Sequence, residues 1–187
     1  MCLYDLGVGE SSVRPTAAAG AEAARTASTQ FELGRVGAGT GATTNKWRGP
    51  DYVIDGGLVH ATARHGELCA TAIVAVNAVG DVGPQPTTSQ ILGGTFDWNE
   101  TVTLFSGENT TIGCIVTNAK IDKIGCRLLA EAAHDGLARA VMPAHTPADG
   151  DAFVCVSNNE VEASMSDARI LTAAAVESAI MSLGSPQ

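Results

Sequence analysis

Aromatic and basic residues are scarce in this 187-residue sequence. Phe, Trp and Tyr make up only 4% of it, and 11 Lys and Arg stand against 20 Asp and Glu, which gives a formal net charge of −9. A shortage of basic side chains disfavours binding to nucleic acid and to anionic membranes, because both present dense negative charge. We therefore predict that neither nucleic acid nor membrane is a partner of this protein.

Long apolar runs and a secretory leader are also missing. No run of about 18 consecutive apolar residues occurs. The N-terminal stretch MCLYDLGVGE has no basic residue ahead of an apolar segment, as a signal peptide would. These absences predict a soluble, cytoplasmic protein.

The cysteines and histidines show no spacing typical of a disulfide framework or a metal site. The five cysteines lie mostly inside apolar runs, without a CxxC pair, which is typical of reduced, buried thiols. The glycine-rich stretch GAGTGATTNK lacks the Gly-Lys-Ser/Thr ending of a phosphate-binding loop. We predict no cofactor and no metal, and interpret His134 and His145 as hydrogen-bonded structural residues.

Small apolar residues are abundant. The sequence is 45% hydrophobic and contains 21 glycines, a composition that suits closely packed helices and strands. Its length corresponds to about one domain, and we predict a single domain over residues 1–187.

The hydrophobic pattern predicts alternating helices and strands. Strands 58–64 and 67–80 are predicted to form a hairpin around His65-Gly66, and the C-terminal half reads β-α-β-α. The last helix is expected to begin at a cap formed by Ser166 or Asp167. The fold class is α/β, with two sheet layers between helices. The predicted helices cover 15–27, 121–141 and 165–184, and the other strands 111–118 and 151–158.

The segment 84–109 has little periodicity and many Pro, Gly and Thr residues, so we predict a linker loop. It runs directly into Asn109, Thr110 and Thr111 at the start of strand 111–118. The threonines can be ordinary β-formers at the start of a strand. Alternatively, a threonine hydroxyl there can attack the preceding carbonyl and shift the acyl group from N to O. Hydrolysis then frees an α-amine, whose ordinary pKa of about 7.7 to 8.0 lets it act as a base.

Five stretches of the sequence resemble the self-processing aminopeptidases: YDLGVG, VGAGTGATTNKWRG, AIVAVNAVGDV, ENTTIGCIVTNA and AAHDGLARAVMPAHTPADGDAFV. That family includes L-aminopeptidase/D-esterase, the β-peptidyl aminopeptidases and the nylon-oligomer hydrolases. The resemblance implies a layered α-β-β-α sandwich of the N-terminal-nucleophile type. It also implies that the fold is incomplete at the N-terminus, because this sequence begins at YDLGVG and typical members carry a segment before it.

The resemblance also implies roles for individual residues. Thr110 matches the nucleophile, exposed by self-cleavage between Asn109 and Thr110 into a larger fragment, 1–109, and a smaller one, 110–187. Asp149 and Asp151 match the carboxylates that orient the nucleophile. From the residues alone, Asp149-Gly150-Asp151 can equally be a plain turn.

Three further residues match the substrate-facing side of the family's site. Lys46 follows the glycine-rich loop, where its charge can lower the pKa of the nucleophile or stabilise an oxyanion. Asn77, at a strand end, is expected to donate a hydrogen bond to that oxyanion, with Tyr4 as the alternative donor.

The resemblance implies an amide-bond hydrolase that acts on small peptides or amino-acid amides, without a cofactor, as a homo-oligomer of the cleaved pair. Two alternatives stay open. One is an acyltransferase of the ornithine acetyltransferase type, and the other is an inactive fragment.

Overall fold

Four helices and eight strands make up the part of the chain that the computed structural model describes, residues 3–83, 87–98 and 109–183. The helices are α1 (Ala17–Arg25), α2 (Thr87–Leu92), α3 (Lys123–Ala140) and α4 (Met165–Met181). The strands are β1 (Thr43–Thr44), β2 (Ile54–Asp55), β3 (Gly57–His65), β4 (Leu68–Val76), β5 (Asp81–Val82), β6 (Ile112–Ala119), β7 (Val141–Met142) and β8 (Ala152–Val161). Within these ranges, none of the helices has the length and apolar character needed to cross a membrane.

The main sheet has four strands in the order β3-β4-β6-β8. β3 and β4 form the predicted antiparallel hairpin, whose turn places Gly66 at φ 58°, a conformation that glycine adopts without steric cost. β4 pairs antiparallel with β6, from Ala70–Thr117 to Ala75–Ile112, and β6 pairs parallel with β8. β6 is therefore a central strand, and its first residues are held from both sides.

Alternate residues of the main sheet face a core formed with α3 and α4. Val74 and Ile115 on the sheet are fully buried against Leu137 of α3 and Val176 of α4. On the opposite face, apolar residues near the β8 edge remain exposed, namely Val116, Val154 and Val156. The helices thus cover one face of the sheet.

α3 and α4 approach each other closely because small residues line their contact. A Cβ atom added to Gly136 would lie 2.3 Å from the carbonyl oxygen of Ala173 and 2.8 Å from Cβ of Val176. Since real Cβ contacts are longer than this, the helices could keep their present distance only with glycine at this position. The sequence composition anticipated such close packing.

Gly136→Ala is expected to lower the free energy of unfolding by about 1–3 kcal/mol, the usual cost of overpacking a core. Chemical denaturation of the purified variant measures this. Gly20→Ala is the matched control, because a Cβ atom at Gly20 in α1 meets no atom within 4 Å. Equal stability of the two variants would contradict the close helix contact.

Side chains cap both long helices. Asp122 accepts a hydrogen bond from the N–H of Gly125 at the start of α3 (2.8 Å). At the start of α4, Ser164 accepts one from the N–H of Asp167 (3.0 Å). The prediction that Ser166 or Asp167 caps α4 is wrong, because both residues already lie in its first turn. There Asp167 places a negative charge near the positive end of the helix dipole.

The α/β class, the hairpin and the β-α-β-α order of the C-terminal half are confirmed. Besides the main sheet, the described residues form two sheets of two short strands each, β1-β2 and β5-β7. The segment 84–109 is not without regular structure, since it contains α2. Residues 84–86 and 99–108 of that linker, and the predicted helix end at Gly184, lie outside the described residues.

Candidate active site

The candidate site lies where the chain enters β6, at the peptide bond between Asn109 and Thr110. Both residues are buried. The Thr110 hydroxyl donates a hydrogen bond to the carbonyl oxygen of Asn109 (Oγ1···O 2.5 Å), and the backbone N–H of Gly150 donates to the same oxygen (2.9 Å). The carbonyl group ahead of Thr110 is therefore flanked by a hydroxyl and by a backbone donor that can stabilise negative charge on its oxygen.

The parallel pairing of β6 and β8 brings Gly150 to this position. Asn109 and Asp149 form a parallel bridge that continues the pairing beyond the strand ends, and Ala152 donates to the carbonyl oxygen of Thr111 (3.0 Å). A Cβ atom on Gly150 would lie 2.7 Å from Oγ1 of Thr110. Only glycine at position 150 leaves space for the Thr110 hydroxyl in its present position. Sequence reasoning treated Gly150 as a turn residue, although its place between two predicted catalytic aspartates was a usable signal.

Asp149 holds two loops together beneath the site. Its Oδ1 accepts from the N–H of Val79 (3.2 Å), while Oδ2 accepts from both the N–H (3.0 Å) and the hydroxyl (2.6 Å) of Thr146. The carboxylate thereby ties the end of β4 to the loop before β8. The Asp149 side chain thus contacts the loops that surround the site, at Val79 and Thr146.

Asp151 holds the start of β6. Its Oδ1 accepts from the N–H of Thr111 (2.8 Å), and its Oδ2 lies 2.9 Å from Nδ1 of His145. Burial raises the pKa of this carboxyl group and the charge of Asp149 adds to the rise, while the hydrogen bonds from Thr111 and His145 oppose it. Asp151 thus contacts the peptide group that follows Thr110, whereas Asp149 contacts the surrounding loops.

Lys46 and Asn77 meet on the other side of the same peptide bond. Nζ of Lys46 donates to Oδ1 of Asn77 (2.9 Å), and the N–H of Thr110 donates to the carbonyl oxygen of Asn77 (3.1 Å). Nζ also lies 3.4 Å from that carbonyl oxygen. The positive charge of Lys46 therefore contacts Asn77, whose carbonyl oxygen accepts the hydrogen bond from the backbone nitrogen of Thr110.

Asn77 and Tyr4, the two predicted oxyanion donors, contact each other. Nδ2 of Asn77 donates to the backbone carbonyl of Tyr4 (3.1 Å), so this contact links Tyr4 to the site through the main chain and not through its phenol. Both residues line one cleft together with Lys46 and Asn109. Gly150 is not among the predicted donors, and its N–H reaches the Asn109 carbonyl because the parallel pairing with β8 extends beyond the strand ends.

An aromatic contact places residues 87–98 beside the site. Phe96 stacks on Trp47 with ring centroids 5.5 Å apart, and Nε1 of Trp47 donates to Oδ1 of Asp81 (3.0 Å). Arg48 pairs with the same carboxylate at 2.6 Å. The segment 87–98 is thereby packed on Trp47, the residue that follows Lys46 in the chain. Four residues of a sequence poor in aromatics meet here, namely Trp47, Tyr52, Phe96 and Trp98.

The chain is similar to known proteins in sequence and in fold. A sequence model of peptidase family S58 matches residues 1–183. An uncharacterized aminopeptidase of Mycobacterium leprae is 33% identical over 86% of this chain and 49% of its own length. A 6-aminohexanoate-oligomer endohydrolase of Agromyces sp. is 28% identical over 86% of this chain and 49% of its own.

A solved structure shares the fold. It is the L-aminopeptidase D-Ala-esterase/amidase of Ochrobactrum anthropi, described as a variant of the Ntn-hydrolase fold, and it superposes with a TM-score of 0.55 at 18% identity. The match covers 83% of this chain and 45% of that one. The chain thus spans about half the length of the relatives it matches. With a family match over nearly all of its residues, the chain belongs to peptidase family S58.

Proposed function

We propose that this protein is an amide-bond hydrolase whose nucleophile is Thr110, freed by autocatalytic cleavage of the Asn109–Thr110 bond. One observation carries the proposal: the Thr110 hydroxyl and the Gly150 N–H both contact the carbonyl oxygen of Asn109, at 2.5 and 2.9 Å. Nucleophile, target carbonyl and oxyanion donor are therefore assembled within one uncut chain. The same set of groups serves self-cleavage first and substrate hydrolysis afterwards.

Cleavage proceeds by an N-to-O acyl shift. Oγ1 of Thr110 attacks the carbonyl carbon of Asn109, and the Gly150 N–H stabilises the oxyanion that forms. The C–N bond then breaks, the nitrogen of Thr110 gains a proton, and an ester joins Asn109 to the threonine oxygen. Water hydrolyses this ester, which leaves a carboxylate on Asn109 and a free α-amine and hydroxyl on Thr110.

The freed residue can then act on a substrate. Its α-amine, with an ordinary pKa of about 7.7 to 8.0, can accept the hydroxyl proton as Oγ1 attacks the substrate carbonyl. Lys46 adds positive charge beside the carbonyl of Asn77 that receives the Thr110 N–H. Asp151 accepts the N–H of Thr111, which follows the nucleophile, and Asp149 links Val79 with Thr146 in the loops around it.

The cleft and the family support a proposal for the substrate class. A cleft lined by Tyr4, Lys46, Asn77 and Asn109 opens beside the cleavage point and offers backbone and amide groups to a small polar ligand. We assign it a short peptide or an amino-acid amide. Hydrolysis is favoured over acyl transfer to glutamate because the relatives reported above carry aminopeptidase or endohydrolase names. Assembly of the cleaved pair into a homo-oligomer is part of the proposal.

Intact-mass spectrometry of the purified chain tests the proposal. We expect the full-length species of 19.0 kDa to be replaced on incubation by two species that end at Asn109 and begin at Thr110. The cleaved protein should then release ammonia from amino-acid amides. A full-length mass after prolonged incubation, or cleavage at another bond, would contradict processing. Transfer of an acetyl group from acetylornithine to glutamate without amide hydrolysis would instead favour the acyltransferase.

A further inference from the structure

His145 connects a buried carboxylate of the site with solvent. Its Nδ1 lies 2.9 Å from Oδ2 of Asp151, and its side chain is 40% exposed whereas that of Asp151 is 4% exposed. The residue adopts φ 54° in the loop before β8, a left-handed conformation that is unusual for a residue with a side chain. The imidazole thus joins the buried carboxylate at one side and reaches solvent at the other.

A second histidine, His134, lies next to this imidazole. The ring of His134, on α3, lies 4.8 Å from that of His145 and packs against Phe153 at 5.0 Å. Burial and the neighbouring His145 lower the pKa of His134, while Asp151 and Asp135 oppose that shift. The charged neighbours of His134 are thus Asp151 and Asp135, and Asp149 acts on Asp151.

The Asp151 carboxylate also contacts the residue that follows the nucleophile. The other oxygen of Asp151 accepts the N–H of Thr111 at 2.8 Å, and Thr111 follows Thr110 directly. A shift of the carboxylate towards or away from the imidazole therefore changes the hydrogen bond that fixes the peptide group next to Thr110. His145, Asp151 and the N–H of Thr111 thus form a connected series of contacts from the exposed imidazole to the residue before β6.

We propose that His145 is a positioning residue for the reaction, holding Asp151 so that its other oxygen fixes the peptide group that follows Thr110. This inference rests on the proposed function for its catalytic meaning, but the hydrogen-bonded arrangement can be tested without any turnover. It predicts that the protonation state of His145 is sensed at the amide of Thr111. It also predicts that a side chain with a donor at the Nδ1 position can replace the histidine.

Nuclear magnetic resonance of the full-length Thr110→Ala chain tests the link directly, because this variant stays uncut. Between about pH 5 and 8, where histidine titrates, the amide shift of Thr111 is expected to follow the ring protons of His145. His145→Asn should retain a Thr111 shift typical of a hydrogen bond but lose the pH step, since the Asn amide nitrogen takes the place of Nδ1 and cannot titrate. Asn also tolerates the left-handed backbone. A Thr111 amide that stays constant while His145 titrates would overturn the proposal.

Processing rates give the functional readout. In the Thr110 background, His145→Ala is expected to slow cleavage about tenfold or more, because small displacements of reacting groups cost up to about 100-fold in rate. His145→Asn is expected to restore most of that rate without its pH step. His65→Asn, at the exposed hairpin turn, is the control and should leave rate and pH profile unchanged. Equal rates for wild type and both His145 variants would overturn the proposal. If the wild-type chain is never cut, the proposed function fails, and the Thr111 titration still decides the role of His145.

Discussion

Thr110→Ala is expected to abolish cleavage, so that only the intact chain of 187 residues is found after any incubation that cuts the wild type. The variant retains the fold but lacks the hydroxyl that contacts the Asn109 carbonyl at 2.5 Å. Without that oxygen no ester can form. Hydrolysis of amino-acid amides should be lost as well, because no free α-amine appears at residue 110. Intact-mass spectrometry and ammonia release measure the two losses.

The neighbouring threonine supplies a matched control. Oγ1 of Thr111 is buried and has no hydrogen-bond partner among the described residues, so Thr111→Val replaces an unsatisfied hydroxyl with a methyl group of similar size. Cleavage should persist, and the free energy of unfolding should stay equal or rise by about 1 kcal/mol. Cleavage at the same bond in Thr110→Ala would contradict the assignment of the nucleophile. Loss of cleavage in a folded Thr111→Val chain would show that the second threonine is required.

Gly150→Ala is expected to slow cleavage at least about 100-fold, the loss seen when an oxyanion donor is removed or displaced. The added Cβ atom would lie 2.7 Å from Oγ1 of Thr110. The hydroxyl would have to rotate away from the Asn109 carbonyl, or the loop carrying the Gly150 N–H would have to retreat from it. Either movement separates groups that must act together. Time courses of intact mass give the rate.

The stability of this variant separates a local effect from a general one. Gly150 is not among the glycines with positive φ, so alanine fits its backbone and the fold should be retained. Gly20→Ala is the control, since an added methyl there meets no atom within 4 Å and alanine favours a helix. It should be cut at the wild-type rate. Wild-type cleavage in Gly150→Ala would exclude the close approach of Gly150 to the nucleophile.

The regular elements were predictable because they carry strong local signals. The helical spacing of apolar residues in 121–141 anticipated α3, and the short apolar run before it anticipated β6. Family motifs also pointed to Lys46, Asn77 and the two aspartates, which the structure does bring around Asn109 and Thr110. Their catalytic roles stay predictions until the variants above are measured.

Long-range contacts were not predictable from the same patterns. The donor that contacts the carbonyl oxygen of Asn109 is a backbone amide, that of Gly150, and a backbone group leaves no mark in the residue types of a sequence. Its position depends on the parallel pairing of β6 with β8, two strands separated by the whole of α3. The stacking of Phe96 on Trp47 likewise joins residues far apart in the chain. The cap of α4 was missed for a simpler reason, because Ser164 and Ser166 are equally good capping residues and only the backbone decides between them.

The pairing of β4 with β6 means that the proposed cut would change the molecularity of refolding. β4 belongs to residues 1–109 and β6 to residues 110–187, so the central ladder of the sheet, from Ala70–Thr117 to Ala75–Ile112, would join two separate polypeptides. Reassembly of the unfolded protein would then change from a first-order process to a second-order one and would slow on dilution. Before the cut, the linker supplies a high local concentration of each half for the other. Self-cleavage would thus replace one continuous chain with two fragments, which must find each other in solution to form the native sheet.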